Sequence, residues 1–198
     1  MNQPFQAWVL RASVGGFIAG CKLLPPDTPR FGNLMKVQQA DLCLFGLLTD
    51  VQVRDDLAAR QLILVGNLER EVVLDQRENR LVPLEISVVT VGYRSGGGRV
   101  MYGLAPQPPL SLDALTVADA AELRAFTHRL DYLPLLLETR GVSVDELLLA
   151  HLSQAAAARA PDARYDFLVG AGRELARLLH HDLRRLETLL RRLRAAIN

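Results

Sequence analysis

The apolar residues of this chain change their spacing partway along it. From Phe5 to Leu104 they come in short runs rich in Val, Ile, Leu and aromatics, each closed off by Gly, Pro, Asn or Asp. "FQAWVLR", "GNLMKVQQ", "DLCLFGLLTDVQV", "QLILVG" and "LEISVVTVGYR" are such runs, and they read as strands. From Thr116 onward the apolar residues recur at three and four, the period of a helix. The two periods demand two kinds of packing, and the change falls in "LAPQPPLSLD". Pro106, Pro108 and Pro109 cannot together extend a sheet or begin a helix, so this stretch reads as an extended connector. The expectation is an α+β chain: a small β-barrel over 1–104, a Pro-rich connector over 105–113 and an α-helical bundle over 114–198.

Within the strand-rich part, glycines 15, 16, 20, 32, 46, 66, 92 and 103 suit the corners where barrel strands bend. Asp55 to Leu62 breaks the strand pattern and reads as a helical turn. Leu68 to Arg80 fits helix or loop equally. In the helical part, Thr116 with Asp119 reads as an acidic variant of a capping box, and Ser143 with Glu146 as a regular one. A break belongs near Asp131 to Pro134, and the helix opened by Ser143 ends before Pro161.

With 49% hydrophobic and 23% charged residues, a chain of 198 residues can bury a real core and is not disordered. A net charge of +1 supplies no global attraction to nucleic acid or anionic lipid. Cys21 and Cys43 sit in apolar runs and read as buried core thiols. No apolar stretch reaches about 18 residues, and the start lacks a basic segment followed by an apolar one. The reading is a cytoplasmic protein without a membrane span.

Three glycines, Gly96 to Gly98, suggest a phosphate cradle. Such a loop needs a Gly-Lys-Ser/Thr opening a helix, and here the strand-like "RVMYG" follows. The glycines therefore read as a hairpin tip, with no nucleotide or other cofactor implied. His128, His151, His180 and His181 show no zinc-ligand spacing. Asp50, Asp55 and Asp56 form an acidic cluster that could hold a metal for phosphodiester cleavage, but the Lys such a nuclease needs near a further carboxylate is missing at Glu85, and turn-formers at a helix N-terminus are the favoured explanation. No serine sits in a nucleophile elbow.

Two features of the C-terminal helix stand out. Leu183, Leu186, Leu190, Leu193 and Ile197 make a short apolar seam, either a core-facing stripe or an interface for a second copy or another protein. Arg184, Arg185, Arg191 and Arg192 make a basic stripe suited to phosphates or an acidic partner, or to a solvated helix end.

"FGNLMKVQQADLCLFGLLTDVQVRDD" resembles the HAS-barrel domain, the small N-terminal barrel of HerA-type DNA-pumping ATPases and of ATP synthase catalytic subunits. Gly32, Leu34, Lys36 and Val37 match one recurring segment; Gly46, Leu48, Thr49, Asp50 and Val51 match the second. The likeness covers roughly residues 10–113. In HerA-type proteins a RecA-like motor follows the barrel; here a helical bundle takes its place. The resemblance implies a barrel without its engine and carries over no catalytic residue. It points to a non-catalytic accessory protein that docks onto a HerA-like ATPase or its nuclease partner in DNA processing. A nucleic-acid-binding protein and a metal-dependent nuclease are the alternatives.

Overall fold

A computed structural model of the chain describes residues 5–21, 29–53 and 84–195. The segments read above as a helical turn (Asp55 to Leu62), as a strand (61–66) and as helix or loop (Leu68 to Arg80) lie outside the described residues. The strands are β1 (Ala7–Ser13), β2 (Gly16–Cys21), β3 (Leu34–Gln38), β4 (Leu42–Val53), β5 (Leu84–Ser95), β6 (Val100–Tyr102) and β7 (Ala114–Val117). The helices are α1 (Ala120–Phe126), α2 (Leu133–Leu137), α3 (Val144–Ala157), α4 (Pro161–Leu178) and α5 (Leu183–Ala195).

Among the described residues, six antiparallel strands close a barrel in the order β1-β7-β3-β4-β5-β2, with β2 also pairing back to β1. The α+β class and the barrel-then-helices order read from the sequence hold. One edge of β5 is shared: Leu84 to Val89 pair with β2, and Gly92 to Arg94 pair with β6. Gly96 and Gly97 take positive φ values of 55° and 74° in the turn between β5 and β6, so the triple glycine is a hairpin tip as read.

Alternation along each strand sends one set of side chains inward. Phe5, Ala7, Val9, Phe17, Ala19, Met35, Val37, Leu44, Leu48, Ile86, Val88 and Leu115 fill the barrel. The opposite phase of β3, β4 and β5 is also apolar: Leu34, Phe45, Leu47 and Val91 point outward and join Leu123, Phe126, Tyr132, Leu148 and Leu152 in a second core. The barrel is therefore packed on both faces along one sector, and the helices cover that sector. Gly46 sits where β4 bulges; a Cβ there would lie 2.7 Å from the Val89 carbonyl oxygen.

The connection between barrel and helices is polar at its centre. The chain turns through Phe31, Gly32 and Asn33 into β3, with Gly32 at φ +83°. Its amide donates to the Leu48 carbonyl at 2.9 Å. α3 packs so closely that a Cβ on Gly32 would lie 2.8 Å from the Ala150 Cβ and 2.9 Å from the His151 amide nitrogen. His151, fully buried, donates Nδ1–H to the Gly32 carbonyl at 3.0 Å. That bond leaves Nε2 as the acceptor, and the Tyr132 hydroxyl donates to it at 2.9 Å. One turn on, Gln154 donates Nε2–H to the Phe31 carbonyl at 2.8 Å and accepts from the Asn33 amide. Phe126 stacks against Phe45 at 5.2 Å and Tyr132 at 5.0 Å between ring centroids, and Tyr102 of β6 donates its hydroxyl to the Phe126 carbonyl at 2.7 Å.

Three expectations need correction. Residues 114–117 are not the start of the helical unit but the barrel's closing strand, paired with β1 and β3. Thr116 therefore lies in a strand. The first N-cap is Asp119, whose carboxylate accepts from the Ala121 and Glu122 amides while Glu122 accepts from the Asp119 amide. The connector 105–113 joins β6 to β7 within the barrel and not the barrel to the helices. On the β7 edge of β1 the Val9 main chain continues the ladder, donating to the Asp113 carbonyl and accepting from the Leu112 amide. Ser143 does occupy the N-cap of α3, but its side chain makes no capping bond. The break near Asp131 to Pro134 holds: α1 ends at Thr127 and Pro134 enters the first turn of α2.

Two outcomes follow. Gly32→Ala forces a side chain into a left-handed conformation against helix backbone, and a loss of about 2–4 kcal/mol is expected in urea denaturation. Burial lowers the His151 pKa from 6.5 to about 4, opposed by its bond to Gly32 and reinforced by Arg159. The unfolded chain binds this proton below about pH 6.5 and the folded chain does not until about pH 4. The contribution is therefore fully present above pH 6.5 and declines as pH falls to about 4, by about 3 kcal/mol in total. His151→Gln removes that part of the slope, and urea midpoints at pH 7.5 and 4.5 for both proteins measure it.

Candidate functional site

Most of the apolar stripe of α5 and half of its basic stripe are used inside the chain. Leu186, Leu189 and Leu193 are buried in the helical core, and Leu190 packs against it. Leu183 stays exposed, and Ile197 lies outside the described residues. The seam is thus not a free apolar edge. α5 needs one face to bury against α3 and α4, and the leucines 186, 189 and 193 form that face. Leu189, 1% exposed, belongs to it and the heptad reading passed it over.

Two of the four stripe arginines are also engaged. Arg185 pairs with Asp145 at 2.7 Å, and Arg192 holds Glu146 in a two-pronged bond with the longer arm at 2.7 Å. Asp145 and Glu146 occupy the first turn of α3, where the helix dipole favours acids. The Arg192 guanidinium keeps the Glu146 carboxyl below the usual range. Arg184 and Arg191 are exposed and have no ion pair among the described residues. Other arginines close the C-terminal end of α3: Arg124 donates to the Ala158 carbonyl, and Arg159 donates to Thr127 while lying 3.6 Å over the Phe167 ring.

Asp50 is exposed at the far part of β4 and accepts from Gln52 at 2.7 Å; Asp55 and Asp56 lie outside the described residues. Among the described residues no group of three or more His, Cys, Asp or Glu is placed to hold a metal ion. His151 belongs to the barrel connection, and His128, His180 and His181 are exposed. Cys21 lines the barrel interior while Cys43 faces the helical core, where burial pushes its thiol up. Among the described residues no helix is long and apolar enough to cross a membrane.

The surface feature that sequence reasoning missed lies on a barrel sector that none of the described helices covers. Trp8 and Leu10 project from the outer phase of β1, each about half exposed. Opposite Trp8 in β2 stands Gly20, and the Leu10 side chain lies over it, 3.1 Å from where a Cβ would sit. The connector brings Leu110 and Leu112 to the same edge, 67% and 72% exposed. A tight turn holds them there: the Leu110 amide donates to the Asp113 carboxylate at 2.8 Å, the Asp113 amide returns to the Leu110 carbonyl, and Gln39 braces the same carboxylate at 2.7 Å. Leu112 sits at φ +71°, a left-handed conformation that costs a leucine on the order of 1 kcal/mol. Its amide is fixed to the Val9 carbonyl at 2.8 Å. The turn thus holds a large apolar side chain out in water at a cost in backbone strain.

No protein-family model matches the sequence, and no curated protein matches it.

The burial pattern sets a test of the two stripes. Leu186→Ala and Leu193→Ala each lower stability by about 2–5 kcal/mol, while Leu183→Ala stays within about 0.5 kcal/mol. Light scattering of the three variants and wild type gives the same mass for all. A mass change specific to Leu186→Ala would restore the seam as an interface.

Proposed function

We propose that this protein is a cytoplasmic, non-catalytic docking module that binds another protein through the outer face of its barrel. The observation that carries the reading is the Trp8, Leu10, Leu110 and Leu112 surface, on a barrel sector that none of the described helices covers. Large aromatic and leucine side chains at a protein surface are the usual anchors of a protein interface. The partner class we assign is a HerA-like DNA-translocating ATPase or the nuclease that works with it. What supports this is the resemblance of the barrel segments: Gly32 to Val37 form the turn and β3, and Gly46 to Val51 run through β4. The helices pack on β3, β4 and β5, so they do not block the patch on β1.

Trp8 is the single tryptophan of the chain, which makes the test direct. Protein labelled with 5-fluorotryptophan gives one fluorine resonance, from the middle of the patch. Adding an unlabelled HerA-like ATPase or its nuclease is expected to shift or broaden that resonance, and a DNA oligonucleotide is expected to leave it unchanged. The variant Leu110→Ser with Leu112→Ser weakens the complex at least tenfold without lowering the melting temperature. No change with either protein at high micromolar concentration, or a change produced by DNA alone, contradicts the proposal.

A further inference from the structure

A second surface lies on the opposite kind of element, between α4 and α5. Tyr165, Leu168, Val169, Gly172 and Ala176 of α4 face Leu190 and Leu193 of α5 across a trough of about 610 Å³. Its floor is aliphatic. Its rims carry Arg173 and Arg194, and no acid lines it. Gly172 stands in mid-helix at a cost of about 0.5–1 kcal/mol relative to alanine, and a Cβ there would lie 3.1 Å from the Leu190 side chain. Glycine at this point keeps the trough open.

The charge pattern says what should fill it. Of the α5 arginines, Arg185 and Arg192 are neutralised by Asp145 and Glu146. Arg194 and Arg173 have no ion pair among the described residues and flank the apolar floor from its two walls. We infer that this trough receives an acidic amphipathic helix from another protein, its apolar side chains on the floor and its carboxylates on Arg173 and Arg194. From Tyr165 to Ala176 the α4 wall runs about 16 Å, which fits about three turns of such a helix, with anchors at i, i+3 or i+4, and i+7. A second copy of this chain is disfavoured, because a two-fold contact would bring the same arginines together. Phosphate is disfavoured by a floor of leucine and valine, and a membrane by the concave shape. Carboxylates fork onto guanidinium groups, and Arg173 and Arg194 supply one on each wall. This site is separate from the barrel patch and stands or falls without it.

The test is a selection on the full chain. A displayed library of helical peptides carries fixed apolar positions at i, i+4 and i+7 and randomised flanking positions. Wild type is the bait, and Val169→Lys, which places a charge in the floor, removes binders to other surfaces. Enrichment of Asp and Glu at the flanking positions is expected. Selected peptides should bind wild type with micromolar affinity and lose at least tenfold on Arg173→Glu with Arg194→Glu. Repeating the selection on that double variant should enrich Lys and Arg instead. Circular dichroism of the exposed double variant confirms that it stays folded. Recovery of no peptide sensitive to Val169→Lys overturns the site. So does a set of binders with neutral or basic flanks on wild type, or displacement of the peptides by a single-stranded oligonucleotide with a steep salt dependence.

Discussion

The close approach of α3 to the Phe31-Gly32-Asn33 turn is the constraint on which the rest of the molecule depends. No side chain fits at Gly32, because the Ala150 methyl and the His151 backbone occupy the space. α3 supplies partners to the turn through His151, which takes the buried Gly32 carbonyl, and Gln154, which bonds the Phe31 carbonyl and the Asn33 side-chain amide. An imidazole held this way must stay neutral, and its depressed pKa follows from the same burial. The Tyr132 hydroxyl completes the imidazole, so α2 is drawn in as well. Through Phe126 and Tyr102 the contact continues to α1 and back to the barrel at β6.

Fixing the helices there decides which surfaces remain. The outer phase of β3, β4 and β5 becomes core, and the outer phase of β1 does not. Trp8 and Leu10 are left in water together with the two leucines that the connector presents. At the other end, α4 and α5 close against α3 with their inner leucines and keep a trough open on their outer side. The barrel patch sits where no described helix reaches it, while the base of the trough is made by Leu168 and Leu193, which also belong to the helical core.

Much of this was legible in the residues. The strand runs and the helix spacing carry the α+β order, and the triple glycine reads as a turn because no Lys-Ser/Thr follows it. Short elements were harder. β7 is four residues, Ala114–Val117, and a pattern that short has no period of its own. It is strand only because β1 and β3 offer it two edges. The α5 stripe was seen, but both 186-190-193 and 186-189-193 satisfy a three-four spacing, and only packing against α3 and α4 selects the second. Arg185 and Arg192 look like their neighbours in sequence; their acids lie 40 and 46 residues away. The roles of His151 and Gln154 are long-range too, 119 and 123 residues from the carbonyls they satisfy. The apolar patch is hidden for a different reason: Trp8 alternates like any strand residue, and nothing local says that its side of the barrel stays uncovered.

If the α3 contact with Gly32 governs the fold as described, barrel and helices form one cooperative unit despite their different periods. Native-state hydrogen exchange measures this directly. The amides of Leu34, Phe45 and Leu47 in the barrel and of Leu148 and Leu152 in α3 should open with one free energy and one denaturant slope, and His151→Ala should lower all of them together. Two distinct plateaus, with the α3 amides falling and the barrel amides unmoved in that variant, would contradict the account.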